Sequence, residues 1–253
     1  MILNKSGILG NVDRLHNFTR LEFEVTHRCN KNCKLCSHRV STSDYDYLTR
    51  TDYEYIVSCI EDKNRINSIY IIGGEPLMHP EIEWLIERMK KDFSGAMISL
   101  STNGKLLPSV SKEFIENVFE FGITSYPGFN DEIIQEYLTS DKYGRKMYHS
   151  GWGGKFYDIS KDPNLNEKEA KEIREICHKN TRLFGTKMYG CCLSEAVERM
   201  YKTDPVHIQF DKDWKTKWYE IQTWKACQRC FRAADYLETG NLLDRNLIRY
   251  DHW

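Results

Sequence analysis

An excess of charge of either sign is missing from this 253-residue chain. Its 36 Lys and Arg stand against 37 Asp and Glu, a formal net charge of −1. Nucleic acids and anionic membranes are recognised through basic faces, so neither partner has an electrostatic basis here. Long apolar runs are missing as well. No stretch of about 18 apolar residues occurs, and no membrane-spanning helix is expected. The opening "MILNKSGILGNVDRLHNFTR" lacks the apolar core and small-residue cleavage site of a secretory signal, so a cytoplasmic location is expected. Internal repeats and low-complexity tracts are absent too. Cysteine, by contrast, is plentiful, with nine. A reducing compartment disfavours disulfides, which turns the expectation for these thiols toward metal binding or catalysis.

Strand-like and helix-like stretches alternate through the first 160 residues. "LEFEV" has period two, with Leu21, Phe23 and Val25 on one face. "DYEYIVSCIED" reads as a helix, "SIYII" as a strand ending in Gly73-Gly74, and "PEIEWLIERMKKDF" as an amphipathic helix. "AMISLS", "GITSY", "KMYHS" and "KFYDI" read as further strands, with "SKEFIENVFEF" (capped by Ser111) and "DEIIQEYLT" as helices between them. Such alternation predicts a parallel sheet with right-handed crossovers. The expected fold is α/β, a partial (β/α)6 TIM-like barrel, because a full eightfold barrel needs roughly 250 residues by itself. Near residue 162 the composition shifts. "KDPNLNEKEAKEIREIC" is polar, and five more cysteines follow within 54 residues. We therefore expect a barrel core over 1–162 and a small cysteine-rich domain over 163–253, packed by the aromatics clustered near the C-terminus.

Thiolates select soft metals: zinc, Cu(I) or iron–sulfur clusters. A structural zinc site is closed by four protein ligands. In "CNKNCKLC", Cys29, Cys33 and Cys36 stand at C-x3-C-x2-C spacing with no fourth thiol nearby. Cys59 lies in the apolar helical run "YIVSCI" and reads as a core residue. His27 and His38, which flank the loop, read as hydrogen-bonding residues rather than ligands. Three protein ligands leave a position open for a small molecule, and in a four-iron cluster they leave one iron free. The loop also follows the first strand, at the sheet edge where parallel α/β folds bind their ligands.

Two further segments accompany it. "GGEP" (Gly73, Gly74, Glu75, Pro76) closes the second strand, and "STNG" (Ser101, Thr102, Asn103, Gly104) closes the third. Together with the cysteine loop they resemble the motif set of the radical S-adenosylmethionine (radical SAM) superfamily, over about residues 20–130. The resemblance implies that Cys29, Cys33 and Cys36 each hold one iron of a [4Fe–4S] cluster, with S-adenosylmethionine (AdoMet) chelating the fourth. It implies that Gly73 and Gly74 let the backbone approach the methionine moiety, that Glu75 beside Pro76 steadies the loop or the ammonium, and that Ser101 and Asn103 meet the ribose. Leu35 stands where an aromatic residue is common, so apolar packing replaces ring stacking near the adenine. The implied chemistry is the cofactor's: a flavodoxin- or ferredoxin-type donor supplies an electron, AdoMet is cleaved, and a 5′-deoxyadenosyl radical abstracts hydrogen from a substrate.

The later cysteines form "CQRC" (Cys227, Cys230), preceded by Cys177 and the pair Cys191-Cys192. By spacing alone this is also compatible with a zinc ribbon. Within a radical SAM chain it resembles the twitch unit, a shortened SPASM domain, with Gly185 as the turn of its hairpin. That resemblance implies an auxiliary [4Fe–4S] cluster on Cys177, Cys191, Cys227 and Cys230, with Cys192 left over. The layout is similar to that of 2-deoxy-scyllo-inosamine dehydrogenase-type enzymes, which implies a small-molecule substrate, oxidation of an alcohol, and an auxiliary cluster that accepts the electron. Radical epimerisation, with Cys192 returning a hydrogen atom, and peptide modification are the alternatives. Tyr126 and Trp152, with Glu24 and His149, are further candidates for substrate contact. Trp152 stands where relatives often carry an arginine.

Overall fold

The computed structural model describes residues 20–34, 36–126, 128–139, 147–150, 155–156, 161–177, 181–214, 216–217, 224–231, 233–234 and 248–249. Strands and helices alternate as the periodicity predicts: β1 (Arg20–Glu24), α1 (Arg50–Ser58), β2 (Ser68–Ile72), α2 (Ile82–Asp92), β3 (Met97–Thr102), α3 (Lys112–Asn117), β4 (Glu120–Thr124), α4 (Asp131–Thr139) and β5 (Met147–Ser150). Each strand pairs in parallel with the next. The apolar face of the sheet is the core. Leu21, Phe23 and Val25 of the first strand segment, Ile69 and Ile71, Ile98 and Leu100, and Phe121 and Ile123 are each at most 1% exposed. They pack against Ile56, Leu85, Ile86, Met89 and Phe114 of the helices. Burying a large apolar side chain is worth about 1.5–3 kcal/mol, which makes this layer the main stabilising element. Ser111 caps α3 as expected, its hydroxyl accepting from the Phe114 N–H at 3.1 Å. Cys59 is buried in the same core.

The fold is the expected α/β partial barrel, but its strands are not joined in the expected way. "KFYDI" does not extend the parallel sheet. Its Lys155–Phe156 (β6) pairs antiparallel with Ile248–Arg249 (β10) in a separate two-stranded sheet. Alternation identifies a strand without naming the edge it joins. The sixth parallel strand is instead β7 (Arg182–Phe184), which docks on the far side of β1, Glu22 opposite Arg182. From there β8 (Lys187–Tyr189) and β9 (His207–Gln209) continue antiparallel, giving the order β5-β4-β3-β2-β1-β7-β8-β9. One sheet thus runs across the expected boundary at residue 162.

The β7–β8 turn is Gly185-Thr186. Gly185 has φ +54°, a left-handed conformation that glycine adopts without steric cost. Later helices include α5 (Glu167–Ile176), α6 (Ser194–Tyr201) and α7 (Trp224–Cys227). Asn166 and Glu169 form a capping box at the start of α5. Ala170 and Ile173 of that helix pack with Cys227, Ala233 and Trp224. Of the C-terminal aromatics, Trp214 stacks on Phe210 at 5.2 Å and Phe231 is fully buried. Trp218, Tyr219, Tyr236, Tyr250 and Trp253 lie outside the described residues. No described helix is long and apolar enough to cross a membrane.

Candidate functional site

The parallel ladder between β1 and β2 does not stop at the strand ends. The N–H of Val25 donates to Ile72 O at 2.9 Å, that of Gly74 to Thr26 O at 2.7 Å, and that of Glu75 to Arg28 O at 2.8 Å. This extension leads directly into Cys29. It also accounts for the glycine pair. A Cβ on Gly73 would lie 2.3 Å from Thr26 O, and one on Gly74 would lie 2.4 Å from Arg28 O. Whatever ligand the pair approaches, the nearest constraint is the backbone of the cysteine loop itself.

Glu75 is fully buried. One carboxylate oxygen accepts from Thr102 Oγ1 (2.6 Å) and the Leu77 N–H (3.1 Å), and the other from the Asn103 N–H (2.7 Å). Burial raises its pKa, with these donors opposing in part. Glu75 therefore clamps the β2 loop to the end of β3. Pro76 opens the short turn over Pro76–Met78. Asn103, expected at a ribose, uses its side-chain amide to reach Asn30 Oδ1 at 2.7 Å, inside the cysteine loop. Ser101 stands half-buried near the end of β3. Lys31, also within the loop, lies over the rings of Tyr126 (4.9 Å) and Phe129 (4.5 Å). The residues between the thiols thus hold the loop, and Tyr126 is brought against it. Leu35 and Trp152 lie outside the described residues, and His149 is placed only by its backbone on β5.

Cys29, Cys33 and Cys36 are free and half-buried. Burial pushes Cys29 up to about 11 and Cys33 up to about 12, and neighbouring thiols add to both shifts. Thiols that oppose one another's ionisation in this way are suited to a cationic metal centre, which deprotonates its sulfur ligands outright.

On the inner face of β1, Glu22 and Glu24 are buried at 2% and 1% exposure. Glu24 Oε1 lies 3.0 Å from both His27 Nε2 and His38 Nδ1. Its Oε2 accepts from Arg182 Nη1 at 3.2 Å, and Arg182 Nη2 reaches Glu22 at 3.4 Å. Burial alone would raise the pKa of Glu24. Arg182, His38 and the histidine hydrogen bonds outweigh it and hold the carboxyl well below its usual range. The two histidines are hydrogen-bonding residues, as expected. Arg182 was not foreseen, although a signal existed: two carboxylates on the inner face of a central strand require a cation from a neighbouring strand.

The second cysteine group assembles around a small pocket lined by Cys177, Cys191, Cys227 and Cys230 with Ile173 and Ser194. Cys177 caps the end of α5, Cys191 follows β8, and Cys227 and Cys230 flank the end of α7. Burial raises the pKa of Cys227, Cys191 and Cys230 raise it further, and Arg174 opposes them. Cys192 does not line this cavity. It is half-buried, and its carbonyl accepts from Arg182 Nη1 at 2.8 Å. Among the described residues no three His, Cys, Asp or Glu side chains close on a single metal ion. Four thiols lining one pocket are a donor set of the kind that binds zinc or an iron–sulfur cluster.

Residues 23–138 match the family model described as the Radical SAM superfamily. The chain is 29% identical over 155 residues to Molybdenum cofactor biosynthesis protein 1 of Dictyostelium discoideum, a match covering 60% of this chain and 23% of that protein. It is 26% identical over 193 residues to a probable GTP 3′,8-cyclase of Methanothermobacter thermautotrophicus, covering 72% of this chain and 62% of the relative. The chain thus spans less than two thirds of either curated relative. Among solved structures, BtrN in complex with AdoMet and 2-DOIA superposes with TM-score 0.55 at 12% identity, covering 93% of this chain and 98% of that one. At that identity the likeness concerns the fold. Residues 23–138, the part of the chain that resembles the Radical SAM superfamily model, carry the cysteine loop and both strand-end segments.

Proposed function

We propose that this chain is a radical SAM enzyme that oxidises an alcohol carbon of a small molecule. In this reading Cys29, Cys33 and Cys36 hold a [4Fe–4S] cluster whose open iron takes AdoMet. Cys177, Cys191, Cys227 and Cys230 hold a closed auxiliary cluster in a twitch-like unit over residues 163–253. The observation that carries it is the difference between the two thiol sets: three in one loop, four around one cavity. When bound, the first cluster and AdoMet supply a hydrogen-abstracting 5′-deoxyadenosyl radical, and the second cluster supplies a one-electron acceptor. The chain's own part is to place and shield. Glu75 and Asn103 fix the cysteine loop against β3, and Tyr126 lies against Lys31 of that loop.

Anaerobic reconstitution tests the assignment. The chain should take up about eight irons as two four-iron clusters and form 5′-deoxyadenosine with dithionite and AdoMet. Cys29→Ala should abolish AdoMet cleavage. Cys191→Ala should lose about half of the iron and retain cleavage, and Cys192→Ala should retain both. Incubation with a panel of cyclic amino alcohols and polyols then decides the reaction. Deoxyadenosine without a ketone product would remove the oxidation reading.

Epimerisation is the second reading, favoured by the position of Cys192 beside Arg182 and outside the four-cysteine cavity. Solvent deuterium in the product, lost in Cys192→Ala, would select it.

A further inference from the structure

The four-cysteine cavity has apolar walls apart from its thiols and one hydroxyl, that of Ser194. Ser194 is fully buried, and its Oγ has no hydrogen-bond partner among the described residues. Arg174 is not a lining residue, but it stands three residues before Cys177 on α5 and its charge acts on the Cys227 thiol. Its guanidinium is buried at 7% exposure. Nη2 donates to Gly190 O at 2.7 Å, the carbonyl just before Cys191, while Nη1 is buried without a partner among the described residues. The described salt bridges give Arg174 no carboxylate either, although Glu22 and Glu24 show how this fold treats its other buried arginine.

A buried donor without an acceptor costs roughly 1–3 kcal/mol, and a buried charge without a counter-charge costs more. Two such groups beside the same four thiols are explained together if the acceptor and the counter-charge arrive with what the thiols bind. A [4Fe–4S] centre on four thiolates is anionic, and its sulfurs accept hydrogen bonds. The thiol set and the unpartnered donors thus make a matched site: four ligands, one hydroxyl and one guanidinium N–H.

We propose that Ser194 and Arg174 are positioning residues for the auxiliary cluster, donating to its sulfurs and offsetting its charge so that the reduced form is stabilised. This rests on the reading of the cavity as a cluster site given above. Reduction adds one electron and one negative charge to the centre, so a donor or cation at the cluster favours the reduced form. Ser194→Ala and Arg174→Met should each lower the equilibrium constant for reduction by about tenfold, or ~59 mV for one electron. Arg174→Lys, which keeps the charge, should recover most of the Arg174→Met shift.

The test is a redox titration of the reconstituted full-length chain, followed by electron paramagnetic resonance. The signal that changes on adding AdoMet reports the first cluster, and the signal indifferent to AdoMet reports the second. Iron is counted in every variant, so a variant that fails to load is recognised. Support is a downward shift of the AdoMet-indifferent potential in Ser194→Ala and Arg174→Met, with the AdoMet-sensitive potential unmoved. Two loaded clusters with an unchanged second potential in both variants would overturn the inference and leave the proposed function standing. Wild-type protein with about four irons and no AdoMet-indifferent signal would overturn the cluster reading of the cavity, and the inference with it.

Discussion

Gly73 has room for a hydrogen and nothing more. With Thr26 O 2.3 Å from the position of a Cβ, Gly73→Ala must push the cysteine loop away from β2. We expect a loss of about 1–3 kcal/mol in urea unfolding of the metal-free chain, the range for overpacking a fixed backbone contact. Iron uptake at the first site should fall in the same variant. Gly95, which has nothing within 4 Å of an added Cβ, serves as the control, and Gly95→Ala should be close to neutral. At this scale the sequence was informative where chemistry restricts the residue type. The need for glycine at 73 and 74 was legible because few other residues tolerate such close backbone approach, and the three thiols of the first loop stood out by their spacing alone. The hydrogen bond from Asn103 to Asn30 was not foreseen, since an amide's hydrogen-bonding groups do not disclose which neighbour in the chain they will meet. Ser194 and Arg174 were not legible at all. A serine at the start of a helix and an arginine in a charged helix are ordinary in sequence, and only a buried Ser194 Oγ and Arg174 Nη1 without partners among the described residues set them apart.

Helix α5 is the element that delivers Cys177, and its start is held by the capping box of Asn166 and Glu169. Asn166→Ala removes a side-chain acceptor at 3.1 Å from the Glu169 N–H and should cost about 1 kcal/mol, read by denaturant unfolding. The same variant should weaken retention of iron at the second cysteine group under a chelator challenge and leave the first group unaffected. A result in which both groups lose iron equally would contradict this independence. Elements with strong periodicity, such as α2 with Leu85, Ile86 and Met89 on one face, could be read directly from the residues. The Gly185 turn was equally plain. What the turn did not disclose was that its first strand also pairs with β1. A three-residue strand carries too little pattern to name its neighbour, and the pairing is determined by burial of Arg182 against Glu22 and Glu24, a contact between distant parts of the chain.

For the whole molecule, that contact ties the two halves together. Removing Arg182 as Arg182→Met leaves Glu24 buried with only the two histidines, and a loss of about 3–5 kcal/mol is expected. The Glu24→Gln, Arg182→Met double variant should lose less than the sum of the singles, in a cycle measured by urea unfolding. The linkage to pH has a definite sign. The folded-state pKa of Glu24 lies below its usual 4.5, so its stabilising contribution is present above pH 4.5 and lost as pH falls through the folded value. Stability should therefore drop below pH 4.5 more steeply in the wild type than in Glu24→Gln. Glu75, raised by burial, acts in the opposite sense, so the comparison between variants is the informative one. The pairing of β1 with β7 also has a consequence in time. Glu24 and Arg182 are 158 residues apart in sequence. At about 5–20 residues per second of synthesis, the strand leading into the cysteine loop waits about 8–30 s for its second neighbour to be made. During that interval β1 to β4 can assemble from contacts close in sequence, leaving the first three thiols already presented on a sheet whose far edge is still open. The topology thus lets the strands that lead into the first three thiols pair before β7 is added beside β1.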